Sequence, residues 1–332
     1  MSIPRPLRAL AVCLLALALS PSALAAGVVG TSFPAGFPTI VDHSLGVPVI
    51  GFGAAGPVSR TPVIFLHGNN DTPYPTACNP FYGAIHGLAQ SLADAGYAPS
   101  ELWGLGYQGD QCDLLTDQTH RSGEAHTTVA NIPDLRAFVH AVLDYTGAKQ
   151  VDIVGHSLGV TLARAWMRED HAGHLVRRLV AIDGPNHGII SCSPDPANYW
   201  QLPGLGGFTP DSPICREYGA ADTPFLAWLN KANETPGPTR FLVLRNADTD
   251  FVYMPTQDGF LAGVPAEDRT GAPHDFSGSA RLDGAETVDL TGQGAYDPLL
   301  GTTHLGILAS PVTAALVAEF LTRTLPGAQT VH

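Results

Sequence analysis

One serine near the middle of the chain lies in a pattern that could make it a nucleophile. Ser157 is the centre of Gly155-His156-Ser157-Leu158-Gly159, which directly follows the β-prone run Val151–Val154 and precedes a helical pattern. The glycines permit a sharp turn that thrusts the serine outward, because side chains there would crowd the elements beneath. The N-terminus of the next helix favours negative charge developing beside the hydroxyl. The pattern predicts Ser157 as a catalytic nucleophile.

A serine nucleophile needs a base that is itself oriented by a third group. In a strand–turn–helix arrangement of this kind the chain order is serine, acid, histidine. Two aspartates, Asp248 and Asp250, follow the β-prone run Arg240–Leu244. We favour Asp250 as the acid, because the apolar Phe251-Val252 after it can tuck the loop back onto the sheet. Asp248 remains the alternative and would otherwise serve as a turn residue.

Three histidines follow these aspartates: His274, His304 and His332. His332 ends the chain, and His274 precedes the last predicted strand. His304 lies between that strand and the C-terminal helix, in a Thr-His-Leu-Gly sequence that resembles a turn. We therefore expect a loop to bring His304 beside Ser157 as the general base.

Acyl chemistry also needs amide donors for the oxyanion that forms. The backbone N–H of Leu158, directly after the nucleophile, is expected to be one, and Asn69 N–H in His67-Gly68-Asn69-Asn70 the other. We expect His67 to brace this loop and His156 to be a packing residue. A second Asn-His-Gly at 186–188 is expected to be structural.

Short apolar runs alternate with segments of helical spacing along the chain, as expected when a mostly parallel sheet carries helices on both faces. The predicted strands are Thr61–Leu66, Leu102–Tyr107, Val151–Val154, Val176–Ile182, Arg240–Leu244 and Thr287–Leu290. The predicted helices are Phe81–Ala95, Val129–Tyr145, Leu158–Met167 and Pro311–Thr324. Two loop-like stretches, Gly184–Ala221 and Asp258–Gly284, are expected as excursions at the carboxyl edge of the sheet, where α/β proteins bind ligands.

The N-terminal residues have the features of a secretory signal. Arg5 and Arg8 precede an apolar run that is too short to span a bilayer, and Ala23-Leu24-Ala25 supplies a small-residue cleavage pattern. We expect residues 1–25 to be removed and residues 26–332 to form one exported catalytic domain. With 30 acidic against 17 basic residues, the net charge of −13 argues against nucleic acid as a partner.

Four cysteines remain after cleavage: Cys78, Cys112, Cys192 and Cys215. An even number in an exported chain indicates two disulfides, with three possible connectivities. We favour the sequence neighbours, Cys78–Cys112 and Cys192–Cys215, because both pairs lie in loop-like sequence. No CxxC or His-rich arrangement is present, so we expect no zinc site.

Three segments together resemble the secreted class 2 lipase/esterase branch of the α/β-hydrolase superfamily. They are the strand ending in Leu66-His67-Gly68-Asn69, the Gly155–Gly159 pattern with its strand, and Thr303–Gly306; Ser279–Ala285 resembles the segment before the last strand in class 2 lipases. The chain is also similar to single-domain extracellular polyhydroxyalkanoate depolymerases. The resemblance implies an α/β-hydrolase fold, hydrolysis of carboxylic esters through an acyl-enzyme, and no cofactor. The long insertion from Asp258 to Gly278 departs from compact lipases.

The substrate implied is a small-molecule or polymeric ester, met at a lipid or polymer surface. Large apolar side chains in the first excursion could line the acyl or polymer site: Tyr199, Trp200, Leu202, Leu205 and Phe208. The alternative within the hydrolases is a polyester depolymerase. The alternatives outside them are a transacylase and a non-catalytic secreted binding protein on the same fold.

Overall fold

A seven-stranded sheet forms the centre of the molecule. The computed structural model describes residues 27–110, 112, 127–202, 207–247, 250, 252–253, 263–293 and 303–324. The strand order is β1-β3-β2-β4-β5-β6-β7, and every neighbouring pair is parallel except β1 with β3. The strands are β1 Ile50–Phe52, β2 Val63–Leu66, β3 Leu102–Gly106, β4 Val151–His156, β5 Val176–Ile182, β6 Arg240–Arg245 and β7 Glu286–Asp289.

The helices cover both faces of this sheet, as the alternating pattern predicts. They are α1 Ala84–Asp94, α2 Thr128–Thr146, α3 Leu158–Glu169, α4 Pro213–Tyr218, α5 Pro224–Leu229, α6 Thr303–Ala309 and α7 Pro311–Thr322. In β2, Val63 and Phe65 belong to the core under α1 and α7, whereas Ile64 and Leu66 belong to the core under α2 and α3. This alternation follows from the two-residue period of a strand, and because helices cover both of its faces, β2 is apolar at every position.

Strand and helix boundaries follow local signals. Strand β5 has the predicted bounds, and the other five predicted strands are present within two residues of their expected ends. Helix α2 begins after Thr127, whose side chain accepts the Ala130 N–H at 3.2 Å, and it ends at Gly147 with φ of 71°. Helix α1 begins at Ala84 instead of Phe81, because Gly83 before it adopts φ of 87°.

Two elements differ from the expectation. Strand β1 was not predicted, because three residues that include Gly51 carry no period, and only pairing with β3 defines them. Helix α6 occupies the segment where a loop was expected around His304. Gly306 suggested a turn from the sequence, but it lies within this helix.

The first excursion is tied together covalently and contains short helical segments. Both favoured disulfides are present, Cys78–Cys112 and Cys192–Cys215. The excursion includes the turns Ile190–Cys192 and Tyr199–Gln201 as well as α4, which starts at a proline after the capping Ser212. The described part of the second excursion packs against it, since Arg269 donates to the carbonyls of Gly219 and Pro210.

Across the described residues, no single helix is long and apolar enough to cross a membrane. Helices α6 and α7 satisfy that criterion only as a pair, and they are bent by 62° where they meet.

Candidate active site

Ser157 occupies a strained turn at the carboxyl end of β4. Its backbone has φ of 52° and ψ of −123°, and α3 begins at the next residue. A Cβ atom on Gly159 would lie 2.5 Å from the Leu66 carbonyl oxygen, and one on Gly155 would lie 2.9 Å from the Gly159 backbone. The two glycines are therefore required by the close approach of β2 and α3 beneath the turn, as the sequence predicts.

Three of the predicted residues form one hydrogen-bonded chain. His304 Nε2 lies 3.0 Å from Ser157 Oγ, and His304 Nδ1 lies 3.0 Å from Asp250 Oδ2. An ionised carboxylate only accepts, so Nδ1 carries the ring proton and Nε2 presents its lone pair to the serine hydroxyl. The exposed fractions are 0% for Asp250, 5% for His304 and 9% for Ser157. The arrangement can move a proton from Ser157 Oγ to His304 Nε2, and all three side chains are buried or nearly so.

Two hydrogen bonds fix the backbone around His304, one at the preceding residue and one at its own carbonyl. It is the second residue of α6, and Thr303 before it donates its hydroxyl to the Asn246 carbonyl at 3.1 Å. The carbonyl of His304 accepts the Nε2–H of His156 at 2.7 Å. Burial lowers the pKa of His156 well below its usual range, and the nearby His304 lowers it further. His156 is thus a neutral packing residue, in agreement with the sequence expectation.

The loop after β2 approaches the nucleophile closely. A Cβ atom on Gly68 would lie 3.0 Å from the Ser157 Cβ, so glycine is needed for the approach. Asn69 and Leu158 both line the same cavity as Ser157. Among the described residues, no hydrogen bond from the Asn69 N–H to another protein group is found, and Leu158 is the first residue of α3, where an N–H has no acceptor within the helix. Two amide donors are thus available on either side of the serine.

The cavity at Ser157 has a volume of about 130 Å³. Its lining includes Asn69 and Asp71 from the loop after β2. It also includes apolar side chains, most of them from the disulfide-tied excursion: Ile189, Trp200, Phe208, Ile214 and Val252. Trp200 and Phe208 contact edge to face, with ring centroids 6.2 Å apart. An open groove of about 1190 Å³ elsewhere has no residue of the serine–histidine–aspartate chain in its lining.

Asp71 is a buried carboxyl group in the lining of this cavity. It accepts the N–H groups of Thr72 and Gly83, each at 2.7 Å. Burial nevertheless raises the pKa of Asp71 from its usual 3.8 to about 6. Desolvation of the charge therefore outweighs the two hydrogen bonds.

Other residues considered from the sequence lie elsewhere. His67 stacks on Tyr107 with ring centroids 4.1 Å apart and bonds to the Gly68 carbonyl, so it braces its loop. Asn186 bonds to Arg164, and His187 to Glu234, which are structural contacts. His274 contacts Phe276 in the second excursion. Asp248, His332 and Leu205 lie outside the described residues.

Sequence reasoning missed Asp183 entirely. It directly follows β5, the neighbour of β4, and its carboxyl group lies close to Asp250 and His304. Its position directly after a strand, at the carboxyl edge of the sheet, could have indicated a site residue, because Ser157 has the same position after β4.

This sheet, with a strained serine between β4 and α3, defines an α/β-hydrolase. The class 2 lipase family model matches residues 60–259. The chain therefore belongs to the class 2 lipase family.

Solved structures of a Bacillus licheniformis lipase share the fold. The chain is similar to the propeptide form of lipase BlEst2 at 17% identity and a TM-score of 0.51, over 83% of this chain and 54% of that one. For the mature form the identity is 16% and the TM-score 0.50, over 80% of this chain and 96% of that one. The chain thus spans about half the length of the propeptide form. At these identities the likeness concerns the fold.

Proposed function

We propose that the protein is a secreted serine hydrolase that cleaves carboxylic esters through an acyl-enzyme. Ser157 is the nucleophile, His304 the general base and then acid, and Asp250 the residue that orients His304. The observation that carries the proposal is the hydrogen-bonded chain of 3.0 Å contacts from Asp250 through His304 to the strained Ser157. Family membership supplies the reaction class.

The reaction follows from this geometry in two half-reactions. Ser157 Oγ attacks the ester carbonyl as its proton moves to His304 Nε2, and Asp250 stabilises the imidazolium that forms. The tetrahedral oxyanion accepts hydrogen bonds from the backbone N–H groups of Asn69 and Leu158. His304 then protonates the leaving alcohol, which departs and leaves the acyl group on the serine. A water molecule, deprotonated by His304, repeats the sequence and releases the acid.

The cavity favours a short acyl chain. An apolar cavity of about 150 Å³ holds one benzene ring. The cavity beside Ser157 is of that order, at about 130 Å³. Two apolar side chains within two positions in sequence of the lining residues Tyr82 and Trp200 are exposed: Phe81 by 76% and Leu202 by 55%. We therefore propose water-insoluble esters of short acids, with triglyceride or polyester as the alternatives to test on tributyrin and polyhydroxybutyrate.

Export is part of the proposal. The signal-like residues 1–25 and two disulfides support it, because disulfides form and persist in oxidising compartments. N-terminal sequencing of the protein released by a secreting host tests the expectation that the mature chain begins at Ala26. A released chain that still begins at residue 1 would contradict it.

Hydrolysis of p-nitrophenyl esters tests the proposed reaction. We expect turnover to be highest for acetate to hexanoate esters and to fall steeply for laurate and palmitate. Ser157→Ala should abolish turnover, while Ser91→Ala, on the outer side of α1, should retain it. A folded wild-type protein without turnover on any of these esters would instead favour a non-catalytic binding protein. Product transfer to added alcohols that outruns hydrolysis would favour a transacylase.

A further inference from the structure

A second carboxyl group, that of Asp183, is buried beside the proposed catalytic residues. Strands β4, β5 and β6 are adjacent and parallel, so the residues that follow them meet at one edge of the sheet. One carboxylate oxygen of Asp183, one of Asp250 and one ring nitrogen of His304 all lie within 4.8 Å of one another. Asp183 and Asp250 are both fully buried. A negative charge on either carboxylate would therefore be neither hydrated nor screened by solvent.

The surroundings of Asp183 fix it and leave one oxygen unused. Its backbone has φ of 42°, a left-handed conformation that is tolerated by aspartate but costs energy. Tyr253 Oη donates to its backbone carbonyl, and Asn246 N–H donates to Oδ1 at 3.1 Å. Oδ2 is buried and accepts no hydrogen bond from any part of the chain that the structure describes. A buried oxygen without a donor is costly as a carboxylate but suitable for carrying a proton.

Two adjacent buried carboxylates cannot both be ionised at neutral pH. Burial raises the pKa of Asp183 well above its usual range, and the negative charge of Asp250 raises it further. Asn246 N–H and the positive charge of Arg245 act in the other direction, while Asp289 adds a smaller upward effect. Asp250 already accepts two hydrogen bonds, from Val252 N–H at 2.9 Å and from His304 Nδ1–H, whereas Asp183 Oδ2 accepts none among the described residues. The shared proton therefore belongs on Asp183.

We propose that Asp183 is a positioning residue, which holds this proton on Oδ2 and donates it in a hydrogen bond to Asp250. When Asp250 is removed by mutation, Asp183 takes its place as the negative charge beside His304. The inference rests on the proposed catalytic roles of Ser157, His304 and Asp250. In the wild type, the bond from Asp183 holds the carboxylate that orients His304. Without Asp250, Asp183 has no like charge beside it and can ionise within reach of the imidazole.

A double-mutant cycle tests the inference. Asp183→Asn retains a side-chain N–H that can replace the proposed O–H donor to Asp250, so turnover of p-nitrophenyl butyrate should fall less than about threefold. In the Asp250→Ala background the same change should lower the remaining turnover by about tenfold or more, which is coupling of the size expected for residues in contact. An equal factor in both backgrounds would overturn the proposal, since it would mean that Asp183 acts independently of Asp250.

The pH dependence separates this role from a structural one. In Asp250→Ala, turnover should rise with pH as Asp183 ionises, and this rise should be missing when Asp183→Asn is added. Asp183→Ala in the wild-type background should lose more turnover than Asp183→Asn, because it removes the donor to Asp250. Identical pH profiles for Asp250→Ala and the double variant would contradict the substitute role.

Two measurements keep the outcome clear if a variant folds poorly. Titration with a fluorophosphonate counts competent sites, so turnover is expressed per labelled protein. The infrared difference between wild type and Asp183→Asn at pH 7 should contain the carbonyl stretch of a protonated carboxylic acid, and a carboxylate band in its place would overturn the inference. An inactive, unlabelled wild type would contradict the proposed function, whereas an active wild type without coupling would contradict only this inference.

Discussion

The imidazole of His156 donates a hydrogen bond to the backbone carbonyl of His304 at 2.7 Å. The residue directly before the nucleophile thus anchors the residue proposed as the base, although 148 positions separate them in the chain. The rings lie 4.8 Å apart, and both side chains are buried. The turn at the end of β4 and the start of α6 are therefore held together at the catalytic residues themselves.

His156→Ala is expected to lower turnover without moving the acid limb of the pH profile. Loss of the bond lets His304 shift, and a misplacement of 1 Å can cost about a hundredfold in rate. The acid limb should stay where it is, because His156 has a strongly lowered pKa and does not charge in the working range. Kinetics of p-nitrophenyl butyrate hydrolysis from pH 5 to 9 check both points. A displaced acid limb would mean that His156 itself titrates in the reaction.

Asp250→Asn is expected to lower turnover by about 10⁴-fold at neutral pH, because an amide neither stabilises the imidazolium nor fixes the tautomer of His304. Asp248→Asn should have a far smaller effect and serves as the matched control. Steady-state kinetics of both variants, corrected for the fraction of competent protein, decide between the two aspartates. If Asp248→Asn were the more damaging change, Asp248 would be the acid.

Asp71→Asn is expected to stabilise the protein at pH 8 but not at pH 3.5. The folded-state pKa of Asp71 is raised from 3.8 to about 6, so between these values the unfolded chain loses the proton while the folded chain keeps it. Wild-type stability therefore falls as pH rises through this window, by about 3 kcal/mol at about 1.4 kcal/mol per pKa unit. An uncharged amide removes this loss.

Urea unfolding at the two pH values measures the effect. Asp144→Asn, on the exposed side of α2, is the matched control and should change stability by less than about 0.5 kcal/mol at both. A stability gain for Asp71→Asn that is equal at pH 3.5 and pH 8 would contradict the assigned ionisation.

Trp200→Ala is expected to impair hydrolysis of emulsified or polymeric esters more than that of a dissolved butyrate ester. Trp200 lines the cavity in the disulfide-tied excursion, next to the exposed Leu202. Loss of its apolar contact should cost about tenfold on tributyrin or polyhydroxybutyrate, corresponding to roughly 1.5 kcal/mol of burial. Trp228→Ala, in the groove away from Ser157, is the control. Equal loss on all substrates would assign Trp200 a packing role.

The sequence was sufficient for the parts of the site that local pattern defines. The position of Ser157 could be predicted because its glycines and strand are contiguous, and β2 because it is apolar at every position. Strands β4 and β5 could be predicted from the apolar residues that make up most of each. The disulfide partners Cys192 and Cys215 could be favoured because they are sequence neighbours in one excursion.

The parts that depend on distant contacts could not be predicted. His304 lies 3.0 Å from Ser157 Oγ, as expected, and its role as the base stays a prediction. Its helix α6 was missed, because the seven residues Thr303–Ala309 are too few for a recognisable period. Strand β1 exists through its pairing with β3, and Asp183 gains its importance from the proximity of Asp250. Pairings between separate strands leave no local signature in a single sequence.

The most direct test of the account is to locate the covalent adduct formed with a fluorophosphonate. The proposed mechanism predicts a single adduct, on the peptide that contains Ser157, formed far more slowly in His304→Ala and absent in Ser157→Ala. Ser191→Ala, which removes another hydroxyl from the same cavity, should still be labelled. An adduct on any other residue, or labelling of Ser157→Ala at the wild-type rate, would contradict the assignment of Ser157 as the nucleophile.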